Sequence, residues 1–185
     1  MIDWEPQIIE ARQIGNYQWS KAWDLANKVH EGQTDLLGEA YVQGHIFGVV
    51  KNVKEHIKLH GCPMHIRAHH LRTLFEITAI LHDVCEDGGF PPDNLREYGF
   101  HKLIIDAVDS VTRRENEKYK NFIKRAKQNF VGRIVKMADL QNNLDVRRIK
   151  FSLETRDKDL YRIEKYIKSY LYLENKMPEE DYMRK

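Results

Sequence analysis

The sequence predicts an all-α, single-domain protein. Apolar residues return at three- and four-residue spacing in one segment after another. No pair of alternating segments and no hairpin signal such as Asn-Gly interrupts them, and the breaks fall on glycine and proline. Trp19, Trp23, Ala26 and Val29 mark a first helix that the Gly32 region ends. Val42 to about His60 forms the second, with Ile46, Val49, Val50, Val53 and Ile57 on one side. Ile66 to about Glu86 is the third and most apolar. Gly88-Gly89-Phe90-Pro91-Pro92-Asp93 breaks the pattern, and its Pro and Asp start a short helix that Gly99 stops after Tyr98. Further helices are expected near 102–111, 117–128, 130–148 and 156–174. The last has Leu160, Ile163, Ile167, Tyr170 and Leu171 as its apolar face. A frayed, charged tail is expected over 176–185 of the single domain 1–185.

Composition narrows the function. Thirty Lys and Arg nearly balance 28 Asp and Glu, so a net charge of +2 gives no electrostatic case for a nucleic-acid partner. No run reaches the length of a membrane span, so no membrane partner is expected. Two cysteines, Cys62 and Cys85, are too few for a disulfide framework, and the N-terminus lacks a basic region followed by an apolar core. The expectation is a cytoplasmic protein.

One segment departs from the pattern of a buried helix. After Leu74–Leu81, residues 82–87 read His82-Asp83-Val84-Cys85-Glu86-Asp87. Unpaired charge in an interior costs several kcal/mol, about 3–5 when one partner is missing, so such a cluster calls for a cation. On a continuous helix, His82 stacks with Glu86 and Asp83 with Asp87 at i, i+4. One imidazole and one carboxylate then reach a single ion, with two acids a turn later beside it. That donor mixture suits manganese, iron or zinc better than calcium. His45 and Asp139, each an isolated polar residue against an apolar stripe, are the candidates for the remaining ligands. Each taken singly is more simply a satisfied core or paired side chain. His65 and His69, with Cys62 three residues before the first, form a much weaker second candidate.

The ordered set His45, His82-Asp83 and Asp139 resembles the HD-domain metal-dependent phosphohydrolases. Leu81-His82-Asp83-x-x-Glu86-Asp87 is similar to the hydrolase domain of the Rel/Spo-type alarmone hydrolases, including the small stand-alone forms that remove the 3′-pyrophosphate of guanosine tetraphosphate. Ala26 to Gln33 and Gly38 to His45 resemble that family's opening segment. Lys136-Met137-Ala138-Asp139-Leu140-Gln141-Asn142-Asn143-Leu144 resembles its Lys-x-Ala-Asp-x-x-x-Asn-Leu signature. The likeness covers about residues 20–170. It implies that His45, His82, Asp83 and Asp139 hold one Mn2+ or another divalent transition metal. It also implies that Glu86 and Asp87 position and deprotonate the attacking water, and that Asn143 contacts the nucleotide sugar. Arg162 and Tyr166 resemble a substrate-reaching Arg-x-x-x-Tyr pair.

Other substrate contacts are read from charge. Arg113 and Arg114 offer two guanidiniums for phosphate, and Lys28 is placed where it could reach the mouth of a site. The stretch Gln33-Thr34-Asp35-Leu36-Leu37 departs from the family, which carries an Arg/Lys pair there against guanine. The expected partner is a small phosphorylated nucleotide, hydrolysed at a pyrophosphate as in the alarmones. A phosphomonoesterase acting on a nucleoside monophosphate or NADPH, and a nucleotide-binding sensor without turnover, are the alternatives. Oligomeric state is not legible.

Overall fold

The computed structural model describes residues 14–60, 68–149 and 152–184. Among them the only β feature is an isolated antiparallel bridge between Thr34 and Ala40, so the fold is all-α. The helices are α1 (Asn16–Val29), α2 (Phe47–His60), α3 (Ala68–Leu81), α4 (Val84–Gly88), α5 (Lys102–Val111), α6 (Tyr119–Gln128), α7 (Phe130–Asn143), α8 (Arg156–Leu173) and α9 (Glu179–Met183). Short 3₁₀ turns cover Pro92–Arg96 and Val146–Arg148. No helix among the described residues is long and apolar enough to cross a membrane. Of the weaker second candidate, Cys62 and His65 lie outside the described residues, and His69 falls in the first turn of α3.

α3 is apolar nearly all round, and a helix of that kind is stable only when surrounded. It packs against α1, α2, α5 and α7. Leu74, Phe75, Ile77, Ala79, Ile80 and Leu81 are all buried. α7 joins this main core to a smaller one. Val131, Ile134, Val135 and Ala138 belong to the first, whereas Met137 and Leu140 pack with Phe122, Ile123, Tyr172, Leu173 and Tyr182 in the second.

The structure corrects four element expectations. The long third helix ends at Leu81, and α4 starts separately at Val84, so His82 and Asp83 form a turn between two helices. Successive side chains on a helix point about 100° apart, and the break frees this pair from that constraint. The second helix begins with a π-helical turn, Val42–Ile46, which carries Gly44 and His45. Such turns hold one extra residue per hydrogen-bonded ring and recur at functional sites. α7 stops at Asn143 rather than near 148, because Asp145 accepts from the backbone N–H of Arg147 and starts a 3₁₀ turn.

The fourth correction concerns α8 and the tail. Leu160 and Ile167, expected on the packed face, are 46% and 44% exposed; Ser169, Tyr172 and Leu173 are the residues buried instead. The tail is not frayed over 179–183. Tyr182 is 3% exposed and stacks on Tyr172 with centroids 4.4 Å apart, while its hydroxyl meets Ser169 Oγ at 3.0 Å. Lys124 pairs with Glu179, and Tyr172 Oη donates to the same carboxylate. A Tyr182→Ala variant is expected to lose about 3 kcal/mol of unfolding free energy in urea titration, the cost of removing a buried aromatic. A loss below about 0.5 kcal/mol contradicts the docked helix.

Candidate metal centre

Four side chains from three parts of the chain converge. The π-turn brings in His45, the α3–α4 turn brings in His82 and Asp83, and α7 brings in Asp139. His45 Nδ1–H donates to Asn142 Oδ1 at 2.9 Å, and His82 Nδ1–H donates to the Ala79 carbonyl at 2.8 Å. The second bond also satisfies one of the carbonyls left open at the C-terminal end of α3. Both rings therefore carry their proton on Nδ1 and present Nε2. The two Nε2 atoms face each other at 3.2 Å. Two lone pairs at that separation repel unless a cation or a proton stands between them.

The carboxylates complete the cup. Asp83 Oδ2 lies 3.0 Å from His82 Nε2 and 3.4 Å from His45 Nε2. Asp139 Oδ1 lies 3.4 Å from His45 Nε2 and 3.8 Å from His82 Nε2. His45, His82 and Asp139 are all buried, with donor atoms within 4.8 Å of one another, so they form a group that could hold a metal ion. Bonds of about 2.1 Å place neighbouring ligands about 3.0 Å apart in an octahedron and about 3.4 Å apart in a tetrahedron. Four of the five separations fall in that range, the 3.8 Å between His82 and Asp139 lying above it, and two imidazoles with two carboxylates fit a borderline divalent cation.

Each donor is held by a second residue. Tyr41 Oη donates to Asp83 Oδ2 at 2.6 Å. Asp139 is fixed at both oxygens: Asn143 Nδ2 donates to Oδ1 at 2.6 Å, and Lys136 Nζ donates to Oδ2 at 2.7 Å. Asn143, assigned to a sugar by resemblance, thus has its amide N–H on Asp139. Its neighbour Asn142 orients His45. Gly48 makes this possible, since a Cβ at that position would overlap the Asn142 amide. Sequence reasoning missed Tyr41, Lys136 and Asn142 as site residues. Only Lys136 had a local signal, its i, i+3 spacing to Asp139.

The buried charges of the cluster offset one another. Burial alone would lower His82, yet the charges of Asp83 and Asp139 raise it to about 9. Burial would raise Asp83, but the His82 and His45 imidazoles hold it well below the usual carboxylate range. Asp139 is likewise held low against its burial, by Lys136 and the two histidines. A metal must displace the proton that His82 keeps at neutral pH. If the group holds manganese, its affinity in a calorimetric titration is expected to rise about tenfold per pH unit from about pH 6.5 toward about 9 and then level off. An affinity that is flat over this interval contradicts the assignment.

The two acids of α4 sit in unlike surroundings. Glu86 has one side open to solvent, but protein on its other side pushes its carboxyl up, with a smaller push from Asp83. Its Oε1 accepts from the backbone N–H of Arg113 at 2.5 Å. Asp87 is held low, first by His30 and then by Gln33, whose Nε2 donates to Oδ2 at 2.9 Å.

The remaining candidates divide. Tyr166 is half-buried within electrostatic reach of Asp139, Lys136, Arg162 and Asp83. Burial and then the neighbouring charges of Arg113, Lys136 and Arg162 hold Lys165 below the usual lysine value. Lys165, which sequence reasoning passed over, also lies over the rings of Tyr119 and Tyr166 at 4.5 and 5.1 Å. Arg113 bonds the Glu117 carbonyl, Arg162 pairs with Asp159 and Arg114 pairs with Asp109. Lys28 is exposed in the last turn of α1 and makes none of the site's contacts. Asp35 serves the backbone instead. It accepts from the N–H groups of Leu37 and Glu39 and pairs with Arg148 at 2.9 Å.

No protein-family model and no curated protein matches this chain in sequence.

Proposed function

We propose that this protein is a divalent-metal-dependent phosphohydrolase acting on a phosphorylated nucleotide, with the 3′-pyrophosphate of guanosine tetraphosphate or a similar alarmone as its substrate. The observation that carries the reading is the pair of facing Nε2 atoms, 3.2 Å apart and flanked by Asp83 and Asp139, beside two acids of opposite pKa displacement. A divalent ion held there would polarise a phosphoryl oxygen and lower the pKa of a bound water. Environments that push two carboxyls apart assign them different roles. Glu86, with the raised carboxyl, takes the proton from the attacking water; Asp87 stays ionised and orients it. Lys136, Lys165, Arg162 and Arg113 supply positive charge for the phosphates. The resemblance of residues 20–170 to the alarmone hydrolases supports the same reaction.

A second reading has its own observation. Asp35 stands where the family carries a basic residue for guanine, and here it is committed to Arg148 and two backbone N–H groups. That favours a different base or a phosphomonoester, such as a nucleoside monophosphate or NADPH.

Both are tested by one panel of phosphorylated nucleotides with manganese, scored for the product released. Pyrophosphate from guanosine tetraphosphate supports the first reading, and orthophosphate from a monoester supports the second. Calorimetric nucleotide binding without either product makes the protein a sensor and overturns both.

A further inference from the structure

The loop between α1 and the π-turn carries two groups that reach the centre. Tyr41, at its end, donates to Asp83 and lies with its ring centroid 4.9 Å from both the His45 and the His30 rings. Gln33, at its start, crosses to α4 and meets Asp87, 54 residues away in sequence. The directions of these bonds are forced. An ionised carboxylate only accepts, so Gln33 must present its amide N–H to Asp87 Oδ2, at 2.9 Å. Its carbonyl oxygen then faces His30 Nδ1 at 2.7 Å, and that nitrogen must carry a proton. The same N–H lies 3.4 Å from Asp87 Oδ2.

Gln33 thus donates to one oxygen of Asp87, with His30 Nδ1 near the same oxygen, while Oδ1 has no hydrogen-bond partner among the described residues. His30 is 3% exposed, and its Nε2 is buried without a partner. An apolar ring would fill that space without leaving a polar atom unsatisfied, so loop packing alone does not account for a histidine there. A chain running from imidazole to amide to carboxylate does account for it. The imidazole fixes the amide, the amide fixes the carboxylate, and Oδ1 is left as the oxygen able to accept from a water or a substrate hydroxyl.

We infer that Gln33 and His30 are positioning residues that hold Asp87 for turnover and leave the metal cup itself unaffected. This rests on the phosphohydrolase reading. Outer residues that orient a working group are worth about 10–100-fold in rate or affinity. The test compares Gln33→Met, which removes both bonds at similar length, with Gln33→Glu, which replaces the donor by an acceptor. Each is assayed on whichever panel nucleotide the wild-type protein hydrolyses. The expected result is kcat lower by about 10–100-fold, with KM and manganese affinity each within about twofold of wild type. If Gln33→Met fails to fold, Gln33→Glu carries the comparison alone. A kcat within twofold of wild type in a folded variant overturns the inference. So does a fall in manganese affinity that matches the fall in kcat.

A second readout needs no turnover. Imidazole ¹⁵N shifts of the metal-free wild-type protein should show His30 protonated at Nδ1, with that signature changed in Gln33→Met or Gln33→Glu. A His30 protonated only at Nε2 overturns the chain of bonds even if the protein hydrolyses nothing. A protein with the expected His30 signature and no activity on any nucleotide overturns the phosphohydrolase reading and, with it, the role in turnover.

Discussion

Asp83→Ala is expected to abolish tight manganese binding and any metal-dependent turnover, and His82→Ala is expected to do the same. Each removes a donor that lies 3.2–3.4 Å from His45 Nε2, Asp83 through Oδ2 and His82 through Nε2. Losing an outer-shell partner typically costs about 10–100-fold in metal affinity, so loss of a ligand itself is expected to exceed about 100-fold. The thermal readout follows from linkage. An ion that binds only the folded state at 100 times its dissociation constant adds about 2.7 kcal/mol of stability, and that increment vanishes in Asp83→Ala. The two variants differ in one respect. The His82 ring also donates to the Ala79 carbonyl at the end of α3, so His82→Ala lowers metal-free stability as well. Asp83→Ala leaves that bond intact and instead takes the acceptor from the Tyr41 hydroxyl, so metal-free stability is measured for both. If metal-free Asp83→Ala protein still turned over substrate, the mechanism would be wrong.

Why these residues were legible, and their supports were not, has a physical reason. An apolar run that ends in His82-Asp83 and Glu86-Asp87 violates the rules of a buried helix within a few adjacent positions, so the anomaly is visible locally. His45 and Asp139 are single polar residues against apolar stripes, which makes them visible too. Asn142, Tyr41 and Gln33 are ordinary polar residues in sequence. Their roles emerge only when α7, the π-turn and the α1–π-turn loop are brought against the site. Backbone detail was lost in the same way. Helical periodicity cannot separate a π-helical turn at Val42–Ile46 from an α-helix, nor show that α3 closes one residue before His82. That closure matters, because the continuous-helix reading placed His82 and Asp83 on adjacent stacks, and the turn brings both against His45 Nε2. On α8 the apolar stripe misled. Tyr172 and Leu173 are buried against α6, α7 and α9 while Leu160 and Ile167 stay outside, so neighbours outweighed the pattern.

Glu86→Gln separates binding from chemistry. The substitution keeps side-chain length and removes the group that would accept a proton, while His45, His82, Asp83 and Asp139 are untouched. Manganese affinity is therefore expected within about threefold of wild type, whereas kcat falls by about 10²–10⁴, the usual contribution of a positioned base. The pH profile carries the stronger test. Protein on one side of Glu86 raises its carboxyl above the ordinary value, and the charge of Asp83 adds to the rise. A base works only when ionised, so kcat in the wild-type protein falls as pH drops through this raised value. The acid limb lies above that of a free carboxylate. Asp87 is displaced the other way by His30 and Gln33 and stays ionised throughout that interval, so it contributes no limb there. In Glu86→Gln the limb disappears from whatever rate remains. A variant that keeps the limb, with its rate merely scaled down, places the base on another group and leaves Glu86 as a partner of the Arg113 backbone alone.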